Sequence, residues 1–115
     1  MTLPKSVRIG PLTYTVTTKL ADWKRLVPKQ VNDDDSLDAW GFTHHTSATI
    51  LIDPQAHSEL QRLTLLHETL HACAFVGGAL DTRRRDEESW VVMTAAPLMD
   101  ALGRSPGLLE YLAGR

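Results

Sequence analysis

The sequence lacks the features that mark disulfide-bonded, membrane-spanning or secreted chains. Cys73 is the single cysteine among 115 residues, which excludes an intramolecular disulfide and is typical of a reducing compartment. No apolar run approaches the ~18 residues of a transmembrane helix. Residues 1–5 lack the basic and apolar stretches of a signal peptide. We therefore expect a cytoplasmic chain that has no membrane partner.

A surplus of positive charge is lacking as well. The chain carries 12 Lys and Arg against 14 Asp and Glu, a net charge of −2, whereas phosphate binding needs a clustered positive surplus. Three consecutive arginines at positions 83–85 have acidic residues on both sides, which favours a solvated connector over an acidic or nucleic-acid partner. The sequence thus predicts no nucleic-acid partner.

The composition is sufficient for one small domain. Hydrophobic residues make up 43% of the chain and charged residues 23%, which is close to ordinary globular usage. We expect a single domain over residues 1–115 with a small core. Trp23, Trp40 and Trp90 are expected to supply much of the buried area of that core.

The first half of the chain has the pattern of short strands. Residues 7–18 alternate apolar and polar side chains around a Gly-Pro break, which predicts two strands. Helical spacing follows over residues 20–30, and Pro28 is expected to end that helix. Residues 39–42 are typical of the start of a hairpin, and the β-branched residues 46–52 predict a strand. The acidic stretch between the helix and the hairpin lacks EF-hand spacing and predicts a solvated loop rather than a calcium site.

The second half has the pattern of helices. One helix is predicted from residue 55 to 76, ended by Gly77 and Gly78. A second runs from about residue 86 to 102, and residues 108–112 add a last turn. The second helix has an apolar stripe made of Val91, Val92, Ala95, Leu98 and Leu102. The order predicts an α+β fold in which a small N-terminal sheet packs on the first of these helices.

The first of these helices contains the pattern H-E-x-x-H. Side chains at i and i+4 project from the same face of a helix, so His67 and His71 suit one zinc ion. Glu68 is rotated about 100° from His67, where it can act as general base on zinc-bound water. Chance gives this pattern in about 1% of chains of this composition. Cys73 lies about 200° around the helix from His71 and is expected to be a buried small residue, not a ligand.

A third zinc ligand is expected from the start of the second helix. Glu88 stands seven residues before Ala95 and ten before Leu98, so it belongs to the stripe that faces the motif helix. Glu87 is one position off and would share a face with Val91 and Thr94, but it remains the alternative. Either acid can instead do no more than complement the helix macrodipole.

The segments T-L-L-H-E-T-L-H-A and E-E-x-W-V-V-x-x-A-A-P-L resemble the zincin metallopeptidases of the gluzincin type. The chain is most similar to the short zincin-like proteins encoded in phages and prophages, over residues 7–106. The resemblance implies a minimal zincin-like domain in which zinc is bound by His67, His71 and Glu88 and Glu68 is the base. The H-x-x-G-x-x-H extension of the metzincins and the N-E-x-x-S-D pattern of the larger gluzincins are absent.

These residues predict a zinc metallohydrolase, specifically a peptidase that acts on a protein or peptide. The resemblance to the phage-encoded proteins implies that it acts in the cytoplasm of a phage-infected host. The alternative is a non-catalytic binding module of phage origin, in which a fourth ligand closes the site and zinc stabilises a small core. Glu68 favours catalysis, because a structural site has no use for a base.

Three histidines and one tyrosine outside the motif are further candidates for a role at the site or on the surface. His44 or His45 is expected either to stabilise an oxyanion near the cleft or to form a surface pair at a strand start. Tyr111 is expected to be a mobile oxyanion donor or a terminal core contact. His57 is expected to be exposed at the start of the motif helix.

Overall fold

The structure is a computed structural model that describes residues 2–27, 40–77, 84–105 and 107–114. The described residues form an α+β fold with one four-stranded sheet, so the predicted fold class is confirmed. Among them, no helix combines the length and apolar character needed to cross a bilayer. The predicted acidic loop at residues 32–36 and the side chains of the arginine run at 83–85 lie outside the described part.

The sheet combines antiparallel and parallel pairing. Strands β1 (Ser6–Ile9) and β2 (Leu12–Thr17) form an antiparallel hairpin. Its turn places Gly10 at a φ of 56°, which glycine adopts without a Cβ clash. Strand β4 (Thr49–Ile52) pairs parallel with β2 and antiparallel with β3 (Gly41–His44). The order is therefore β1-β2-β4-β3, and β3 lies at an edge.

The second hairpin differs slightly from the prediction. The strand predicted over residues 46–52 begins only at Thr49, because residues 45–48 form the turn between β3 and β4. Ala48 has a φ of 50° in this turn, which a strand does not accommodate. All four residues of β4 are buried, as expected for an interior strand rich in isoleucine and leucine.

The described helices lie close to where the sequence predicts them, but the motif helix begins at Ser58 and not at residue 55. His57 is the N-cap residue of the motif helix, and its Nδ1 accepts a hydrogen bond from the backbone N–H of Leu60 at 3.2 Å. Val27, which precedes Pro28, is extended, as residues before proline usually are. The described helices are α1 (Leu20–Leu26), α2 (Ser58–Val76), α3 (Arg84–Arg104) and α4 (Leu108–Leu112).

Helix α2 lies between the sheet and α3, with a core cluster on each side. The cluster between the sheet and α2 contains Tyr14, Ile50, Ile52 and Ala72. The cluster between α2 and α3 contains Leu70, Val91 and Ala95. Val91, Ala95 and Leu98 of the predicted stripe thus pack against α2, whereas Val92 is 42% exposed. This packing fixes the faces that α2 and α3 present to each other.

The prediction for the tryptophans is wrong. Trp40 and Trp90 are 41% and 48% exposed. Trp23 is half-buried, and its Nε1–H donates to the carbonyl of Ile52 at 3.3 Å. The aliphatic side chains of β4 and the fully buried Tyr14 fill the core instead.

The prediction that Cys73 is buried is also wrong, since its side chain is exposed. The sheet covers α2 at Ala72, and α3 covers it at Leu70. Cys73 therefore lies on the outward face of the helix, in the same row as the exposed Arg62.

Candidate metal centre

Two histidines of α2 meet a glutamate of α3 where the helices pack. The His67 and His71 rings lie one helical turn apart, with centroids separated by 5.1 Å. Glu88 reaches both rings: its Oε1 is 3.0 Å from His67 Nε2, and its Oε2 is 2.7 Å from His71 Nε2. One donor atom from each of the three residues lies within 4.8 Å of the others. The three ligands predicted from the sequence are thus brought together.

The adjacent Glu87 also points into this cluster, although the helical phase predicted that it would turn away. Its Oε2 is 3.2 Å from His71 Nδ1, whereas Glu88 contacts Nε2 of the same ring. Adjacent helical residues differ by about 100° in direction, which predicts that only one of the two glutamates points at the metal. Both side chains are nevertheless long enough to contact the His71 ring, one at each nitrogen.

Glu68 is the most deeply buried acid of the cluster. Its side chain is 3% exposed, and its Oε2 lies 3.9 Å from His67 Nε2. The hydroxyl of Thr43 is 2.7 Å from Glu68 Oε1 and 3.1 Å from the carbonyl oxygen of the same residue, and it can donate to either. Thr43 belongs to β3, so the edge strand fixes the carboxylate of the motif helix. No sequence pattern indicated this residue.

The donor set fits a zinc ion. Two imidazole nitrogens and one carboxylate are the ligands of many catalytic zinc sites, which keep a further position open. His67 Nε2 and Glu88 Oε1 are buried and lie 3.0 Å from each other, and neither has a further hydrogen-bond partner within the described part of the chain. Buried polar atoms are normally satisfied, so two such atoms facing each other suit a bound cation.

The charges in the centre are strongly coupled. Burial alone lowers the pKa of His71, but the hydrogen bond to Glu88 and the charge of Glu68 outweigh it and raise the pKa to about 9. Contact with His67, and then with His71, holds the pKa of Glu88 well below its usual range. Without a metal, the centre is therefore held by an imidazolium–carboxylate pair, and a metal ion competes with the proton on His71.

Gly41 allows β3 to approach the motif helix closely. A Cβ at this position would lie 2.5 Å from Thr64 Cγ2 and 3.1 Å from Glu68 Cγ. The edge strand can therefore reach Glu68 only because residue 41 has no side chain.

We expect Gly41→Ala to lower the free energy of unfolding by about 1–3 kcal/mol, as overpacking does in a well-packed core. Urea unfolding of the metal-free protein measures this. Gly103→Ala is the control, because a Cβ there meets no atom within 4 Å and alanine favours a helix. Equal stability of Gly41→Ala and the wild type would contradict the close approach of β3.

His45 lies on the Glu87 side of the centre. Its Nδ1 is 3.1 Å from the hydroxyl of the buried Tyr14, and its ring stacks on Phe75 with centroids 4.3 Å apart. Burial lowers the pKa of His45; the charge of Glu87 opposes this, and that of His71 adds to it. An oxyanion role for His45 stays a prediction.

The other singled-out residues lie in different settings. His44 is the last residue of β3, and its Nδ1 is 2.7 Å from the hydroxyl of Ser47 in the following turn. Tyr111 is 82% exposed, so the expected core contact is wrong. His57 is exposed, as predicted, and caps α2.

Comparison of the chain with known protein families, with curated proteins and with solved structures finds no match. The resemblance to zincins therefore stays a prediction, carried by the motif residues and their geometry.

Proposed function

We propose that this chain is a zinc-dependent metallohydrolase, specifically a peptidase of the zincin type. One observation carries the proposal: His67, His71 and Glu88 converge beside the buried carboxylate of Glu68. Three protein ligands with an adjacent base are the arrangement that catalytic zinc sites use. A zinc site that only stabilises the fold has no need of a base such as the Glu68 carboxylate.

The residues have distinct roles in this proposal. A zinc ion held by His67, His71 and Glu88 would supply the Lewis acid that polarises a scissile carbonyl and makes water more acidic. Glu68 takes the proton of the attacking water and later gives it to the leaving amine. Thr43 holds one oxygen of Glu68, so the carboxylate keeps a fixed orientation while its other oxygen exchanges the proton.

The substrate class follows from the resemblance to the short phage-encoded zincins, and we propose a protein or peptide.

A second function has its own supporting observation. The three donors connect α2 to α3 beside the cluster of Leu70, Val91 and Ala95, so zinc would also stabilise the packing of a non-catalytic module. Both functions require the metal, so zinc binding does not distinguish them. A test for peptide hydrolysis does.

We expect one zinc ion per chain, bound tightly enough to stabilise the fold. At a free zinc concentration about a hundred times Kd, linkage adds about 2.7 kcal/mol to the free energy of unfolding. Metal analysis of protein purified without chelators gives the stoichiometry. Thermal unfolding with zinc, and with zinc plus a chelator, measures the stabilisation.

The same experiment can refute the zinc site. Protein that contains no transition metal and whose melting temperature does not respond to added zinc would contradict the proposal. If zinc binds and a peptide library is cleaved only by the zinc-loaded protein, the peptidase is supported. If zinc binds and no peptide is cleaved, the stabilised module is the better description.

A further inference from the structure

The ring of His71 is held from both sides by neighbouring residues of one helix. Glu88 Oε2 is 2.7 Å from Nε2, and Glu87 Oε2 is 3.2 Å from Nδ1. Adjacent helical residues differ by about 100° in direction, so two long side chains from one turn of α3 can flank a single ring. Both nitrogens of His71 thus have a carboxylate partner.

The two nitrogens have different tasks in a neutral imidazole. One carries a proton and donates, while the other has a lone pair that can bind a metal. A carboxylate at Nδ1 accepts the proton there, which leaves the lone pair on Nε2. Nε2 is the atom that faces Glu88 and lies near His67. The Glu87 contact therefore selects the tautomer that the proposed zinc site requires.

Glu87 also differs from an ordinary acid at a helix start. Its side chain is 19% exposed, less than the 31% of Glu88, although Glu88 is the proposed ligand. The preceding Asp86 is exposed on the same turn. An acid that only complements the helix dipole can remain exposed to solvent. The partial burial of the Glu87 side chain against His71 therefore indicates a specific contact.

We infer that Glu87 is the positioning residue of this centre: its carboxylate holds His71 by Nδ1 and directs Nε2 toward the metal. The inference rests on the proposed zinc site. Carboxylates behind metal-binding histidines fix the ring and its tautomer, and their loss costs about ten- to a hundredfold in metal affinity. Glu87 would then support the metal without touching it.

The first test is zinc affinity, measured by chelator competition on the full chain. We expect Glu87→Ala to bind zinc about ten- to a hundredfold more weakly than the wild type. Asp86→Ala is the matched control, since it removes an exposed carboxylate from the same turn. Equal affinities for Glu87→Ala and Asp86→Ala would overturn the inference while leaving the zinc site standing. A wild-type chain that binds no zinc would overturn the proposed function and this inference together.

The second test separates orientation from charge. Glu87→Gln loses the charge but keeps an oxygen that can accept from Nδ1–H, so we expect it to recover most of the affinity lost in Glu87→Ala. Equal losses in the two variants would overturn the positioning role. The free energy of unfolding of each metal-free variant is measured alongside, so that a folding defect is recognised.

The third test observes the ring itself. In the zinc-loaded wild type, nitrogen-15 NMR of the imidazole should show a proton on His71 Nδ1 that exchanges slowly with water. Glu87→Ala should lose this slow exchange, and Glu87→Gln should retain it. A purely structural role for Glu87 would leave the exchange rate unchanged, and that outcome would overturn the inference.

Discussion

Glu68→Gln is expected to keep the fold and the zinc ion and to lower the rate of peptide hydrolysis by about a hundredfold to ten thousandfold, which is the contribution of a positioned general base. Glutamine has nearly the size of glutamate, and its amide oxygen can still accept the hydrogen bond that Thr43 donates to Glu68 Oε1 at 2.7 Å. It cannot take a proton from water. The expected loss is therefore in the chemical step.

The measurement compares kcat and zinc content on a peptide that the wild type cleaves only in the presence of zinc. Glu59→Gln is the matched control, because Glu59 is exposed in the first turn of the same helix. It should cleave the peptide at the wild-type rate. Cleavage at that rate by Glu68→Gln would show that another group accepts the proton.

Helical periodicity explains why much of this centre is predictable from sequence. The spacing of His67 and His71 fixes their common face without reference to any other part of the chain. The stripe through Ala95 and Leu98 fixes which side of α3 meets the motif helix, and Glu88 follows from that phase. The structure places Glu88 between the two histidines, as the phase predicts. Local spacing thus suffices for groups that lie on regular helices.

The contributions of β3 depend on contacts between distant parts of the chain and are not predictable in this way. Thr43 reaches Glu68 across 25 residues of sequence, and this contact exists only because Gly41 lets the strand approach α2. Threonine and glycine occur in short strands for many structural reasons, so the residue types alone do not indicate these contacts. The packing of the sheet against the helix determines which residues Thr43 and Gly41 contact.

The tryptophans show a related limit. A large apolar side chain predicts burial on average, but the sheet here has β4 as its main buried strand, and its aliphatic residues occupy the space. Trp40 and Trp90 are 41% and 48% exposed. Composition predicts how much area a core needs, whereas topology decides which residues supply it.

Glu88→Ala should have the largest effect on the metal, lowering zinc affinity by more than about a hundredfold, beyond the cost of losing an outer partner such as Glu87. The variant removes the one side chain that contacts both His67 Nε2 and His71 Nε2. Two histidines alone do not complete the three-ligand set of a catalytic zinc site. Chelator competition against the wild type and Asp86→Ala measures the loss.

A second readout tests the same geometry without zinc. In the metal-free wild type, hydrogen bonding to Glu88 helps to raise the pKa of His71 to about 9. Glu88→Ala removes that bond, so the pKa of His71, followed by NMR titration, should fall toward its ordinary value. The ring would then lose its proton at a lower pH than in the wild type.

A larger loss of zinc affinity in Glu87→Ala than in Glu88→Ala would mean that Glu87 is the ligand. An unchanged affinity in both variants would place the third ligand elsewhere, and His45, on the Glu87 side of the centre, would be the next residue to replace.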